Sequence, residues 1–410
     1  MGLSIGIVGG SIAGCSAAIL LSRAGHQVRV FERSRGGLVG RGGGIATTGV
    51  MWEELVTHDV VDEDMPHFKA SEMPFIVRTA DEPMTGRVPY AMPLDLRAFH
   101  WTELWGQLRR RVPDGVYHQG TAVASVEAID GHAVDLVFED GSGDRFDLVI
   151  FADGYRSVGR QHVCPGTELR YRGYMLWRGL LPESAVVDAP LGADIPRLSY
   201  TELKGNATAY FVPSAEGSTA PGERIINWAC YIPLSDDQVE AFMLDRTGAA
   251  HEGSIPPGAM RLSEEDRLKT LMQANLPDWY GGMIARTTDT FVQLIYTARL
   301  PAYAHGRVCL IGDAGVVAQP FTGSGVFKGY QNVNGLLAQL SGSRDLDAAL
   351  AAWSAEQVRL GDRLLALGEQ MEQAFIWDSI DLASASSDEV AAWWKAAVTF
   401  PEEFTYQAKS

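Results

Sequence analysis

SIGIVGGSIAGCSAAILLSRAGHQVRVFE, residues 4–32, decides the fold class. Ser4 to Val8 is a short apolar run bounded by glycine, the pattern of a strand buried on both faces of a parallel sheet. Cys15 to Arg23 carries Ala17, Ala18, Leu20 and Leu21 at helical spacing, Gly25 stands where a helix stops, and Gln27 to Phe31 forms a second strand. Strand, glycine turn, helix and strand together make the βαβ unit of a dinucleotide site. In that unit Gly9 allows the tight turn, Gly14 lets helix and strand pack closely, and the helix start at Ser11, Ile12 and Ala13 faces the pyrophosphate. Glu32, at the end of the second strand, is placed to accept hydrogen bonds from the adenosine ribose. Ser11 occupies the position where a second glycine usually permits close approach to phosphate; serine is small and can itself donate to phosphate.

The βαβ unit does not distinguish FAD from NAD, but two later segments do. Residues 147–160 read DLVIFADGYRSVGR, a buried strand followed by Asp153 and Gly154; the plain alternative for Asp153 is a capping aspartate in a βα turn. Residues 306–330 read GRVCLIGDAGVVAQPFTGSGVFKGY: an apolar run from Val308 to Ile311, then Gly312 and Asp313, then a turn at Gly323, Ser324 and Gly325 that opens a helix. Nucleotide-type segments at opposite ends of one chain imply one large cofactor lying across both, most simply FAD.

With 410 residues and 46% hydrophobic content the chain can bury a large core in two or three domains. A net charge of −17 argues against nucleic acid or an anionic membrane surface as partner, because both require a basic face. Cys15, Cys164, Cys230 and Cys309 lie far apart, which suggests neither a zinc site nor a disulfide framework and fits a reducing cytoplasm. The first residues read as a strand rather than a secretory signal, and no apolar run is long enough to span a bilayer.

With Asp153–Gly154 and Gly312–Asp313 in place, the chain resembles the aromatic-ring hydroxylases, the single-component FAD-dependent monooxygenases, in which such DG and GD pairs are the second and third markers. Several segments narrow the resemblance to the 2,6-dihydroxypyridine 3-hydroxylase branch: GGSI at 9–12, YRGYMLWRGL at 171–180, Asn227 with Trp228, HGRVCLIGDA at 305–314 and Lys328. The chain departs from the wider family at Gly315 and Val316, where a histidine is usual after GDA, and at Asn332, where an aspartate is usual.

The resemblance implies a para-hydroxybenzoate hydroxylase-like α/β fold. A Rossmann-like FAD-binding domain would occupy 1–70, 96–170 and 302–342, an inserted mixed β-sheet substrate domain 71–95 and 171–301, and a helical region 343–410. It places Asp313 on the ribityl chain, Pro320 with Gly323, Ser324, Gly325 and Val326 beneath the flavin ring, and Asp153 near both FAD and the incoming nicotinamide cofactor. Arg97, with His100 and Leu104 at helical spacing beyond it, resembles an arginine that opens a helix and contacts the cofactor; Arg33, Arg41 and Val123 complete the expected cofactor-binding set. The implied reaction uses NADH or NADPH and O2 to hydroxylate an electron-rich hydroxylated ring, a hydroxypyridine in this branch, through a flavin C4a-hydroperoxide.

Tyr210 and Tyr231 are candidates for contacting the substrate hydroxyl and Trp228 for a stacking wall, each with the alternative of a core aromatic. A tailoring hydroxylase of a pyridinol or phenol carrying a long side chain is the competing reading, and a non-hydroxylating NAD(P)-dependent oxidoreductase a more distant one. The apolar residues from Leu350 to Met371 predict a long amphipathic helix that packs on the cofactor domain or forms a subunit interface in a homo-oligomer.

Overall fold

A computed structural model describes residues 2–38, 42–129, 133–343 and 345–399. In chain order the first elements are β1 (Ser4–Val8), α1 (Ile12–Arg23), β2 (Gln27–Glu32), β3 (Gly44–Thr48), α2 (Gly49–Thr57), β4 (Phe68–Val77), β5 (Arg87–His100), α3 (Trp101–Arg111) and β6 (Tyr117–Gln119). Then come β7 (Val123–Ile129), β8 (Ala133–Phe138), β9 (Gly143–Phe146), β10 (Leu148–Phe151), α4 (Val158–Val163), β11 (Arg170–Pro182), β12 (Arg197–Ser199), β13 (Asn206–Val212) and β14 (Ile225–Pro233). The last third holds α5 (Asp236–Phe242), β15 (Ser254–Ile255), α6 (Leu262–Asn275), α7 (Asp278–Arg286), β16 (Phe291–Thr297), β17 (Ala304–His305), β18 (Val308–Leu310), α8 (Lys328–Gly342), α9 (Leu346–Glu372) and α10 (Ser387–Val398).

Six strands form one sheet in the order β17-β18-β10-β1-β2-β6, parallel throughout except for the edge hairpin β17–β18. Ile5, Ile7, Val30, Ile150 and Leu310 are fully buried in it, as strands covered on both faces require. Because β1, β10 and β18 are successive neighbours, the three glycine-bearing strand ends lie side by side, although the first and last are separated by nearly the whole chain. The small three-stranded sheet β7-β8-β9 packs against β1 and β10.

A second sheet of nine strands, β15-β16-β11-β14-β13-β12-β4-β5-β3, is mixed, since β12 and β4 run parallel while their neighbours are antiparallel. It takes in Gly44–Thr48 and all of Arg87–His100, further than the boundaries at 70/71 and 95/96 expected from sequence. The physical reason is pairing: residues 44–48 lie antiparallel to residues 96–100, so their backbone groups are satisfied in this sheet and not in the parallel one.

Side-chain alternation gives the nine-stranded sheet two apolar faces. Met175, Trp177, Trp228, Cys230 and Ile232 pack with Leu268, Met272 and Tyr280 of α6 and α7. Tyr174, Leu176, Tyr210, Ala229 and Tyr231 pack on the opposite side with Phe321 and with Leu367, Met371 and Trp394 of α9 and α10. Helix α9 bridges the halves of the molecule: its Trp353, Leu364 and Leu365 belong to the core around the parallel sheet, and its last turns belong to the second. Among the described residues no helix is long and apolar enough to cross a membrane, and no cluster of ligands suited to a metal ion occurs.

Candidate active site

The turn after β1 is built for close approach. Gly9 has φ +100, and a Cβ there would lie 2.5 Å from the Ala152 carbonyl oxygen; a Cβ on Gly14 would lie 1.8 Å from that of Gly9. Side chains beneath it lock the turn: the Gly10 carbonyl accepts from Trp105 Nε1 at 3.0 Å, Tyr117 Oη at 3.1 Å and Cys15 Sγ at 3.3 Å. Burial pushes the Cys15 thiol up to about 12, so it stays protonated as a donor. Ser11 makes no side-chain cap on α1, which leaves the first-turn N–H groups, Ile12 and Ala13 among them, available to an anion. Glu32, buried at the end of β2, accepts from the N–H of Gly10 at 2.9 Å through Oε2 and from that of Ser34 at 2.8 Å through Oε1. Each oxygen keeps a further lone pair for a ribose hydroxyl.

The second and third strand ends adjoin this turn. Asp153 follows β10; its Oδ2 accepts the N–H of Val158 at 2.8 Å, while Oδ1 is buried with no partner. Burial raises its pKa above the ordinary carboxylate range, an effect opposed by hydrogen bonds from Ser157 and Val158 and by Arg160. Arg160 ties the two acidic turns together, donating from Nη2 to the Asp313 carbonyl at 2.6 Å and from Nε to that of Ala314 at 3.1 Å. Asp313 is half-exposed and ion-paired through Oδ1 with the buried Lys328, whose ammonium also donates to the Val316 carbonyl at 2.7 Å. Gly312 has φ +60, and its N–H donates to Asn332 Oδ1 at 2.9 Å. An amide serves there as well as a carboxylate, because its Nδ2 finds Gln357 Oε1 at 2.7 Å. A Cβ on Gly329, at the start of α8, would lie 2.5 Å from that of Ala13, so the starts of α8 and α1 are nearly in contact.

Beyond the third turn, Pro320, Gly323, Gly325 and Val326 form one wall of a cavity of about 230 Å3 whose opposite wall is the sheet face bearing Tyr210 and Tyr231. Tyr231 lies against Phe321, ring centroids 4.5 Å apart. The cavity is lined by Arg178, Arg197, Asn206, Thr208 and Asn227 as its other polar side chains, and no carboxylate is among its described lining residues.

Two family models match the chain: an NAD(P)-binding Rossmann-like domain over residues 7–60 and an FAD-binding-domain-like model over residues 171–297. The 2,6-dihydroxypyridine 3-monooxygenase of Paenarthrobacter nicotinovorans is 28% identical over 371 residues, covering 88% of each chain. The salicylate hydroxylase of Pseudomonas putida is 28% identical over 373 residues, 85% of this chain and 79% of the relative. The solved structure of 2,6-dihydroxypyridine-3-hydroxylase from Arthrobacter nicotinovorans superposes with a TM-score of 0.83 at 25% identity, covering 94% of this chain and 95% of that one. Along most of its length the chain is similar to FAD-dependent aromatic hydroxylases. The matched domain models are of FAD-binding and NAD(P)-binding kinds, in keeping with FAD as cofactor.

The fold brings together most of the residues singled out from the sequence. Gly9, Ser11, Ile12, Ala13, Gly14 and Glu32 lie on the first turn, Asp153 on the second, and Gly312, Asp313, Pro320, Gly323, Ser324, Gly325 and Val326 on the third strand end and its turn. Arg33 follows Glu32 and is exposed. Val123 starts β7, two residues after Thr121, whose N–H donates to the Glu32 carbonyl at 2.9 Å. Arg41 lies outside the described residues.

Two expectations are corrected. Arg97 opens no helix: it lies within β5, α3 begins at Trp101 with His100 as its cap, and the guanidinium pairs with Asp95 at 2.5 Å. Asp95 and Arg97 occupy the face opposite Leu96, which lines the cavity. Trp228 is no cavity wall; it is fully buried on the α6–α7 side, its Nε1 donating to Thr287 Oγ1 at 2.9 Å. Its neighbours Asn227 and Ala229 line the cavity instead, because successive strand residues face opposite ways.

Sequence reading missed Asn227, Arg178 and Thr208 as cavity residues. It also missed Glu372, a buried carboxylate that accepts from Arg172, from Gln319 Nε2 at 3.0 Å and from Tyr174 Oη at 3.3 Å, fastening α9 to β11 and to the residue before Pro320. The alternation of NATAYFV and IINWACYIP was the signal for Thr208 and Asn227, and that of YRGYMLWRGL for Arg178; only the register of β14 against β13 and β11, which sets Asn227 opposite Tyr210 and Ala229 opposite Arg178, fixes which face is inward.

Proposed function

We propose that this protein oxygenates a small, electron-rich, hydroxylated aromatic ring, a hydroxypyridine foremost. The observation that carries the reading is the cavity of about 230 Å3 between the Pro320–Val326 wall and the polar face of the nine-stranded sheet. Cavities of about 150 Å3 accept benzene, so this one suits a single substituted ring better than a substrate with a long side chain. Similarity to 2,6-dihydroxypyridine and salicylate hydroxylases supports the same class.

In this reading the orphan N–H groups at the start of α1 bind the pyrophosphate of FAD, Glu32 accepts from the ribose, Asp313 holds the ribityl chain, and Gly323 to Gly325 run beneath the ring. The structure fits such a group on one physical point above all: Gly9 and Gly14 let the first turn pack against β10 and α1, and the start of α1 directly beyond it carries no side-chain cap on its N–H groups. FAD, when bound and reduced by the nicotinamide donor, supplies the O2 chemistry. The buried, unpartnered Asp153 Oδ1 is placed to accept from a hydroxyl or amide brought to the second turn.

The protein's own part is orientation and exclusion of water. Tyr210 and Tyr231 present hydroxyls to the ring substituents, while Phe321, stacked on Tyr174 and edge-on to Phe375, closes the apolar side. Holding the ring's own hydroxyl in its ionised form raises the nucleophilicity of the carbon to be hydroxylated.

The test is a panel of hydroxypyridines and phenols scored for hydroxylated product together with NAD(P)H oxidation. Product from a dihydroxypyridine is expected; product only from large phenols would move the assignment to the tailoring class, and NAD(P)H oxidation without product from any ring would remove hydroxypyridines altogether.

A further inference from the structure

We infer that Asn227 is a substrate anchor whose carboxamide N–H binds an acceptor oxygen of the ring, preferentially an ionised one. The inference rests on the reading of the cavity as the substrate site and adds the chemical feature that the site recognises.

Asn227 is 1% exposed, and its two ends have opposite situations. Oδ1 accepts the N–H of Gly44 at 2.8 Å. An N–H cannot accept, so this contact fixes which end is oxygen, and Nδ2 must be the end with no partner. A buried amide donor without an acceptor is destabilising, a penalty removed when a ligand supplies the acceptor.

The surroundings set the ligand's polarity. Arg178 clamps the same glycine from the other side, donating from Nη2 to the Gly44 carbonyl at 2.7 Å, and its Nε also lacks a hydrogen-bond partner. Among the described residues no carboxylate lines the cavity beside Arg178. A site whose buried donors, Asn227 Nδ2 and Arg178 Nε, lack acceptors favours an oxyanion over a neutral ether or an ammonium group. The clamp also explains glycine at position 44: a Cβ there would stand 2.6 Å from Asn227 Cγ and drive the carboxamide out of place.

Asn227→Asp separates anchoring from architecture, because the carboxylate still accepts the Gly44 N–H while the donor is replaced by a negative charge. With 2,6-dihydroxypyridine and salicylate as probes, ligand binding to the FAD-loaded protein is read from the perturbation of the flavin spectrum, beside FAD affinity. The expected result is at least a 30-fold loss of affinity for each probe that binds wild type, FAD affinity within threefold, and partial recovery of probe affinity at acidic pH as the introduced carboxyl regains a proton to donate. Asn227→Ala, which also loses the Gly44 contact, should weaken both probe and FAD. The inference is overturned if the Asp variant binds its probe within threefold of wild type, if it loses FAD and not the probe, or if neither probe binds wild type. Salicylate binding that depends on Asn227, with no binding of 2,6-dihydroxypyridine to wild type, would uphold the anchor and reject the hydroxypyridine reading.

Discussion

Gly329→Ala should weaken FAD binding although neither Gly329 nor its neighbour Ala13 carries a functional side chain. The added Cβ would lie 2.5 Å from Ala13 Cβ and 3.0 Å from Ala13 Cα. Carbon atoms settle at about 3.5–4.0 Å, so the starts of α1 and α8 must separate by about 1 Å. Without cofactor the two helix starts can drift apart and shed much of that strain. With FAD bound across both turns the spacing is fixed, so the overpacking cost of about 1–3 kcal/mol falls on binding. At about 1.4 kcal/mol per tenfold, FAD affinity should drop about 5- to 150-fold, measured by flavin fluorescence on titrating apoprotein. Gly342→Ala in the same helix is the control, since a Cβ there meets nothing within 4 Å. Wild-type FAD affinity in Gly329→Ala, with lowered thermal stability alone, would refute the idea that one cofactor spans both turns.

Three further outcomes follow from buried groups. Asp153→Asn should raise thermal stability slightly at neutral pH while slowing flavin reduction by NAD(P)H, because it relieves the burial that lifts this carboxyl's pKa. The folded pKa lies above the unfolded one, so the wild type loses stability as pH rises through the folded value; the variant's advantage should shrink as pH falls toward about 4, and an advantage that grows in acid would contradict it. Glu372→Ala should cost about 3–5 kcal/mol in denaturant unfolding by leaving Arg172 without its buried partner, with Glu372→Gln milder because its oxygen still accepts; a loss under about 1 kcal/mol in the Ala variant would show the network to be incidental. Trp228→Phe should lower stability by about 1–3 kcal/mol with unchanged substrate affinity, whereas Tyr231→Phe should alter affinity or turnover with little change in stability, and the reverse pattern would return Trp228 to the cavity.

The parallel sheet and its three turns were legible because each is local: a buried strand, a glycine and an acid adjacent in sequence report their own geometry. Gly9, Glu32, Asp153 and Asp313 therefore emerged from short windows. The substrate face was not legible in the same way. Residues 225–233 announce a strand, but a one-residue change of phase exchanges Asn227 and Tyr231 for Trp228, and the phase is set by pairing with β11 and β13. Arg97 misled for a related reason, since the helical spacing that begins at Trp101 can be extended backward into β5, where pairing with Gly44–Thr48 on one side and β4 on the other shows that the chain is extended. Glu372 gave no signal because its meaning lies in Arg172, 200 residues earlier.

Aromatic hydroxylation itself is tested most directly by supplying the FAD-loaded protein with NAD(P)H, isotopically labelled O2 and a dihydroxypyridine, and analysing the products by mass. One labelled oxygen atom in a ring-hydroxylated product, formed in step with NAD(P)H oxidation, is the predicted result. NAD(P)H oxidation that yields only hydrogen peroxide across the whole panel of rings, or product whose added oxygen comes from water, would contradict it.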